Sequence, residues 1–246
     1  MRPFLFLGTR AEDAPARSEY DAVLRYSGLS TDRLHRVRLE AGPLGEVELS
    51  DWAGIILGGG PFNVSDPTDL KSPVQLRVEA ELGALAQRVV AADSWFLGAC
   101  YGVGTLGVLR GGVVDRTYGE PVGTKRIELT EAGMRDPLFG VLPPAFDSFL
   151  GHKEAVTRLP EGAVLLASSQ TCPVQGFRLG RRVYATQFHP ELDTEGLCTR
   201  VDAYRHYGYF APEQAEELKE MARRAHVTEP FRLLRRFVEL ADGAEG

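Results

Sequence analysis

Only three cysteines occur in 246 residues. So sparse and odd a set does not make a disulfide framework, and it points to a reducing cytoplasm. Long apolar runs are also missing. None reaches the length needed to cross a bilayer. Phe4 to Leu7 is too short for a signal-peptide core, and Arg10, Glu12 and Asp13 follow closely. Basic charge is not in excess: 28 Lys and Arg stand against 34 Asp and Glu, for a net charge of −6. That balance argues against a nucleic-acid footprint and against attraction to anionic membranes. Gly58-Gly59-Gly60 is not accompanied by the lysine and Ser/Thr of a phosphate-binding loop, so phosphate cradling is a weak reading of it. No candidate ATP-binding loop, internal repeat, low-complexity tract or obvious interdomain linker is found.

What is present is an ordinary globular composition, 43% hydrophobic, enough for a substantial core. The length fits one large α/β domain, with or without an added helical segment. Phe4 to Leu7 reads as a buried first strand and Thr9 to Pro15 as a polar loop. Tyr20, Val23 and Leu24 recur at helical spacing, with Gly28 as a C-terminal cap. Val37 and Leu39 alternate with arginines as a second strand, and Trp52 to Leu57 is a third. Ser72-Pro73-Val74-Gln75 predicts a helix start: serine cap, proline in the first turn and glutamine closing the box. Val74, Val78, Leu82, Leu85 and Val89 then line one face. Trp95 to Leu97 is a fourth strand. Alternating strands and helices imply a mostly parallel sheet covered on both faces. After Gly112 the pattern changes to shorter strands: Lys125 to Leu129, Ala163 to Ala167, Val174 to Leu179 and Arg182 to Phe188. Gly180-Arg181 turns a hairpin between the last two. From Thr194 on the chain reads as helices, with Phe231, Leu234 and Val238 on one face and Thr228 as a cap.

The chemistry concentrates in Trp95-Phe-Leu-Gly-Ala-Cys100-Tyr-Gly-Val-Gly-Thr-Leu-Gly107. An apolar run ends in a small-residue turn with a cysteine at its apex. Gly98, Gly102 and Gly104 clear side chains from the bend and permit a strained backbone. A thiol there is exposed, at a helix N-terminus that favours its anionic form. Isolated cysteines are more often core hydrophobes, and Cys172 and Cys198 are assigned to structure. Far downstream, Gln187-Phe-His189-Pro-Glu191 supplies an imidazole and a carboxylate. Pro190 restricts His189 to extended backbone, and Glu191 is two residues away, able to fix the tautomer if the strand end curves. A histidine after a strand is commonly just a satisfied edge residue, and spacing does not bring it to Cys100. Gly58-Gly59-Gly60-Pro61 offers backbone N–H groups for an oxyanion, or is a glycine turn without chemistry.

These residues resemble the class I glutamine amidotransferase family, the triad-type glutaminases. The resemblance rests on Gly60-Pro61 with Val64 and Asp66; Gly98-Ala-Cys100-Tyr-Gly102; Gly151-His152-Lys153-Glu154-Ala-Val156; and Gln187-Phe-His189-Pro-Glu191. These motifs span most of the chain, and within the family it is most similar to the glutaminase domain of GMP synthase. The resemblance implies a three-layer, flavodoxin-like α/β fold with a mostly parallel central sheet, an antiparallel extension and extra C-terminal helices. The domain would cover residues 1–194, with a helical extension over 195–246 packed on it. It implies catalysis by Cys100, His189 and Glu191, an oxyanion hole from the backbone N–H groups of Gly60 and Tyr101, and substrate contacts from Gly59, Gly104, Ser169, Gln170 and Thr171. His152 matches a position near the site. No metal and no cofactor are implied. The expected substrate is glutamine. Candidate assemblies are a homodimer and a complex with an ammonia-accepting synthetase subunit. One departure stands out: the family pattern G-x-C-x-G-x-Q ends here in Gly104 instead of glutamine. That substitution motivates one rival, a hydrolase of another γ-glutamyl compound. A second rival is a non-enzymatic binding protein on the same scaffold.

Overall fold

The computed structural model describes residues 1–244. Its first half alternates strand and helix: β1 (Phe4–Gly8), α1 (Asp13–Ser27), β2 (Leu34–Arg38), β3 (Gly54–Leu57), α2 (Pro73–Ala92), β4 (Phe96–Ala99) and α3 (Tyr101–Gly107). The second half adds β5 (Val113–Asp115), β6 (Glu120–Leu129), α4 (Glu131–Arg135), β7 (Ala145–His152), β8 (Ala155–Arg158), β9 (Val164–Ser168), β10 (Gly176–Leu179) and β11 (Val183–Thr186). Three further helices follow: α5 (Thr194–Ala203), α6 (Ala215–Arg224) and α7 (Arg232–Gly243).

Nine of these strands form one sheet in the order β2-β1-β3-β4-β11-β10-β9-β6-β7. The first five run parallel. From β11 onward every pairing is antiparallel. A β5–β8 pair stands apart as a second small sheet. The parallel order follows the 2-1-3-4-5 winding of flavodoxin-like folds, which places ligand sites beyond the carboxyl ends of the strands. Alternation along β1 shows why both faces are covered. Phe4 and Phe6 join a core closed by α1 and α7, whereas Leu5 and Leu7 join one closed by α2 and α3. Phe237 of α7 stacks edge-on against Phe4 and Trp95. The last helix is therefore part of the main core.

Several boundaries differ from those expected. α1 begins at Asp13, inside the predicted loop, because Pro15 is tolerated in a first turn whose N–H groups need no helical partner. Gly28 caps it at φ +76°. Ser72 caps α2 by accepting from Gln75 N at 3.1 Å. Gln75 does not close the box, however; its side chain donates to Asn63 O and Glu79 instead. Val74 lies off the apolar stripe and is 38% exposed. The hairpin at Gly180 (φ +59°) forms as expected, but its strands are shorter than predicted, and β6 is longer because its pairing with β7 begins at Glu120. β5, β7 and β8 carry mixed polar and apolar residues and are not apparent from periodicity. Thr228 makes no side-chain cap bond; a short 3-10 turn, Glu229–Phe231, intervenes before α7.

Candidate active site

Four loops converge beyond the carboxyl ends of the parallel strands. They follow β1 (Thr9, Arg10), β3 (Gly58 to Gly60), β4 (Cys100) and β11 (Gln187 to Glu191). Cys100 sits between β4 and α3 at φ +51°, ψ −84°. That is left-handed backbone for a residue with a Cβ, a strain of order 1–3 kcal/mol of the kind found at functional sites. Its N–H is tied to Thr186 O at 2.7 Å, and its carbonyl accepts from Val103 N at 2.9 Å. The bend is possible because Gly98 and Gly102 touch: a Cβ on Gly98 would lie 2.8 Å from Gly102 Cα. The glycines flanking the cysteine thus serve close backbone packing.

Burial pushes the Cys100 thiol up to about 12, against the pull of Arg10. It is therefore a neutral thiol at rest. His189 shares a cavity of about 50 Å³ with Cys100, Gly60 and Arg10. Its Nδ1 lies 2.8 Å from Glu191 Oε1, in the geometry that fixes a proton on Nδ1 and frees Nε2. The curve of the chain after β11 thus brings imidazole and carboxylate together across Pro190. Burial lowers the His189 pKa below its ordinary value, and Arg200 adds to this against the opposing pull of Glu191. Burial alone would raise Glu191, but His189 and Arg200 outweigh it and hold that carboxyl well below the usual carboxylate range.

A second, smaller cavity of about 10 Å³ also reaches Cys100, lined by Asn63, Tyr101, Lys153, Glu154 and Gln187 among others. Gly60 and Tyr101 both border it. Gly59 packs flat against the histidine, since a Cβ there would meet His189 Cε1 at 2.4 Å. Gly104 faces Glu154: a Cβ would lie 2.9 Å from Glu154 Oε1 and 3.0 Å from Val64. The Glu154 carboxylate is held there by the N–H groups of Val64 (3.0 Å) and Ser65 (2.8 Å).

Ser169, Gln170 and Thr171 line neither cavity. Ser169 Oγ accepts from Cys172 N, and Thr171 donates to Glu120. His152, by contrast, borders the smaller cavity, while its ring nitrogens bond within the fold, with Nε2 3.0 Å from Glu120 Oε2 and Nδ1 2.8 Å from Glu154 O. Its ring therefore braces the loop that carries Glu154. Cys172 is fully buried beside this cluster.

Four residues near Cys100 and His189 escape sequence reasoning. Arg10 and Glu19 form a buried pair at 3.0 Å; Arg200 reaches in from α5; and Tyr209 borders both of the cavities that Cys100 lines. One signal existed for Arg200. It falls on the same helical face as Leu197, Val201 and Tyr204, where a charge is out of place unless paired.

Fold and site together define a doubly wound α/β protein with a cysteine, a histidine and a glutamate gathered at its switch point. The family described as glutamine amidotransferase class-I matches residues 22–196, and the chain belongs to it. It is 28% identical over 172 residues to a glutamine-hydrolyzing GMP synthase subunit of Thermoplasma acidophilum, covering 70% of this chain and 76% of that one. It is 34% identical over 140 residues to the glutamine-hydrolyzing GMP synthase of Lactobacillus delbrueckii subsp. bulgaricus. That match covers 56% of this chain but 24% of the relative, so the chain spans about a quarter of its length. Among solved structures, a glutamine amidotransferase from Thermotoga maritima superposes with a TM-score of 0.76 at 19% identity, covering 98% of both chains. It shares the fold.

Proposed function

We propose that this protein hydrolyses the side-chain amide of glutamine through a thioester on Cys100. The observation that carries the reading is a cysteine at a strained strand-to-helix bend, in one cavity with an imidazole whose far nitrogen meets a carboxylate at 2.8 Å. Cys100 is a thiol at rest and His189 a neutral base, so proton transfer accompanies attack in place of a preformed ion pair. His189 Nε2 takes the thiol proton as Sγ bonds to the amide carbon and the C=O electrons move onto oxygen. The N–H groups of Gly60 and Tyr101 are assigned to that oxyanion. His189 returns the proton to nitrogen, the C–N bond breaks and ammonia leaves. Water then attacks the thioester with the same histidine as base, the C–S bond breaks as His189 returns the proton to sulfur, and glutamate departs.

Tyr204, Tyr209 and Phe210 line the larger cavity, and Tyr209 the smaller one as well. We assign substrate entry to the side covered by the Tyr204 to Phe210 segment. It is held by Lys153, which donates to Tyr207 O at 2.8 Å and lies 4.4 Å over the Tyr209 ring. Ammonia would pass to a separate synthetase chain, by analogy with a relative named as one subunit of GMP synthase. Among the described residues no helix is long and apolar enough to cross a membrane, and three free thiols suit a reducing cytoplasm. Sedimentation velocity tests whether the chain self-associates as a homodimer.

Replacing Cys100 by Ser or Ala is expected to abolish glutamate release from glutamine while the circular dichroism spectrum stays native. Intact mass spectrometry with glutamine should trap an acyl adduct on the wild-type Cys100. Normal turnover by a folded Cys100→Ala protein would sink the assignment. A second reading, hydrolysis of a different γ-glutamyl compound, draws on the Glu154 carboxylate filling the space beyond Gly104. A panel of γ-glutamyl amides and peptides separates the two, and preference for free glutamine counts against it.

A further inference from the structure

Arg200 occupies a position that the triad chemistry does not require. Its Nη2 donates to Glu191 Oε1 at 2.7 Å, the same oxygen that His189 Nδ1 reaches at 2.8 Å. The same Nη2 lies 3.3 Å from Glu19 Oε1, and Nη1 lies 3.1 Å from His189 Nδ1. Glu19 Oε1 also accepts from Arg10 Nε at 3.0 Å and from the N–H of Gly59 at 3.2 Å. One guanidinium thus touches the base, its orienting carboxylate and the anchor of the glycine loop. All of these groups are buried.

The charges around the imidazole can be counted element by element. Arg10 follows β1, Glu19 lies on α1, Cys100 precedes α3, Glu191 follows β11 and Arg200 lies on α5. Two arginines balance two carboxylates, and the thiol is neutral. A protonated His189 would leave this buried cluster with an uncompensated positive charge. The working tautomer carries its proton on Nδ1, toward Glu191, so Nη1 of Arg200, 3.1 Å from that nitrogen, bears on the ring as a nearby cation and not as a hydrogen-bond donor.

We propose that Arg200 is a positioning residue for the hydrolysis assigned above: by bridging Glu19 and Glu191 it keeps His189 a neutral imidazole, ready to accept the Cys100 proton. The claim rests on that functional reading for its purpose, but its electrostatics can be measured without turnover. Removing Arg200 takes away a cation and leaves Glu191 to His189 alone. Both changes favour the protonated ring.

The test is the titration of His189 in the full-length protein, followed by NMR of labelled histidine with His189→Gln as the assignment control. Arg200→Met should raise the His189 midpoint by about one pH unit or more, the size that a single nearby charge produces. The acid limb of kcat/KM for glutamine should move up by the same amount. Arg200→Lys, which keeps the charge, should return both toward wild type. Glu19→Gln removes the carboxylate that shares Nη2 of Arg200 with Glu191 and should displace the midpoint downward, a reversal of sign that a merely structural role does not produce. It also serves if Arg200→Met fails to fold. An unchanged midpoint in folded Arg200→Met, or a rise in Glu19→Gln, overturns the proposal. Should the titrations move as expected while glutamine is never hydrolysed, the functional reading fails and the positioning role stands.

Discussion

Gly104 shows how one missing side chain redefines a pocket. With no Cβ there, the Glu154 carboxylate and Val64 close over the start of α3. Burial raises the Glu154 pKa, against the hydrogen bonds from Ser65 and Val64. Restoring the family's glutamine by Gly104→Gln would not simply restore a contact. The new Cβ would meet Glu154 Oε1, whose two backbone N–H bonds keep it from swinging aside cheaply. The expected result is a loss of stability of about 1–3 kcal/mol in urea titration, as for overpacking in a filled interior, with a higher KM for glutamine. A lower KM at unchanged stability would mean that the pocket opens more readily than its packing implies.

Helix α5 is the element through which the C-terminal region enters the site. Its N-terminus is fastened by Asp193, whose Oδ1 accepts from Gly196 N at 2.8 Å and whose Oδ2 accepts from Tyr26 Oη at 2.7 Å. Arg25 adds a pair at 3.2 Å that is largely exposed and of little weight. Asp193→Ala is expected to lower stability by about 1–2 kcal/mol, the range for a lost N-cap, measured by urea unfolding. Because α5 carries Arg200, kcat/KM should fall as well, while Asp193→Asn, which retains the capping oxygen, should recover most of both. At this scale the limits of sequence reading are plain. β1, β3, β4 and the bend at Cys100 are legible because each is a local signal: an apolar run, then glycines. His189 and Glu191 are legible because Pro190 and short spacing constrain them locally. Arg10, Glu19 and Arg200 come from three separate elements and acquire meaning only where those elements meet. β5, β7 and β8 escape for a related reason, since they are defined by their pairings, β5 with β8 and β7 with β6, and not by a pattern in their own residues.

Taken over the whole molecule, the buried charges of the site make folding sensitive to acid. His189 is lowered below 6.5 by burial, with Arg200 adding to it. As pH falls below that value the unfolded chain binds the proton first, so stability is lost progressively until the folded-state midpoint is passed. Glu191 and Glu120 are also lowered, despite burial, by His189 and Arg200 in one case and His152, Thr171 and Gln175 in the other. Their contributions are intact above about pH 4.5 and disappear below it as each folded carboxylate takes its proton. Glu154 has the opposite sign: its raised pKa lets the folded state bind a proton first, opposing the loss just above 4.5. The decline between pH 6.5 and 5 therefore reports mainly on His189, at about 1.4 kcal/mol for each unit its pKa is lowered. Thermal unfolding of wild type should show Tm falling through this window. His189→Gln, which cannot titrate there, should flatten the slope while leaving the steeper loss below pH 4.5 in place. Equal slopes in the two proteins would mean that the imidazole titrates alike in folded and unfolded chains. The neutral buried histidine on which the mechanism depends would then be excluded.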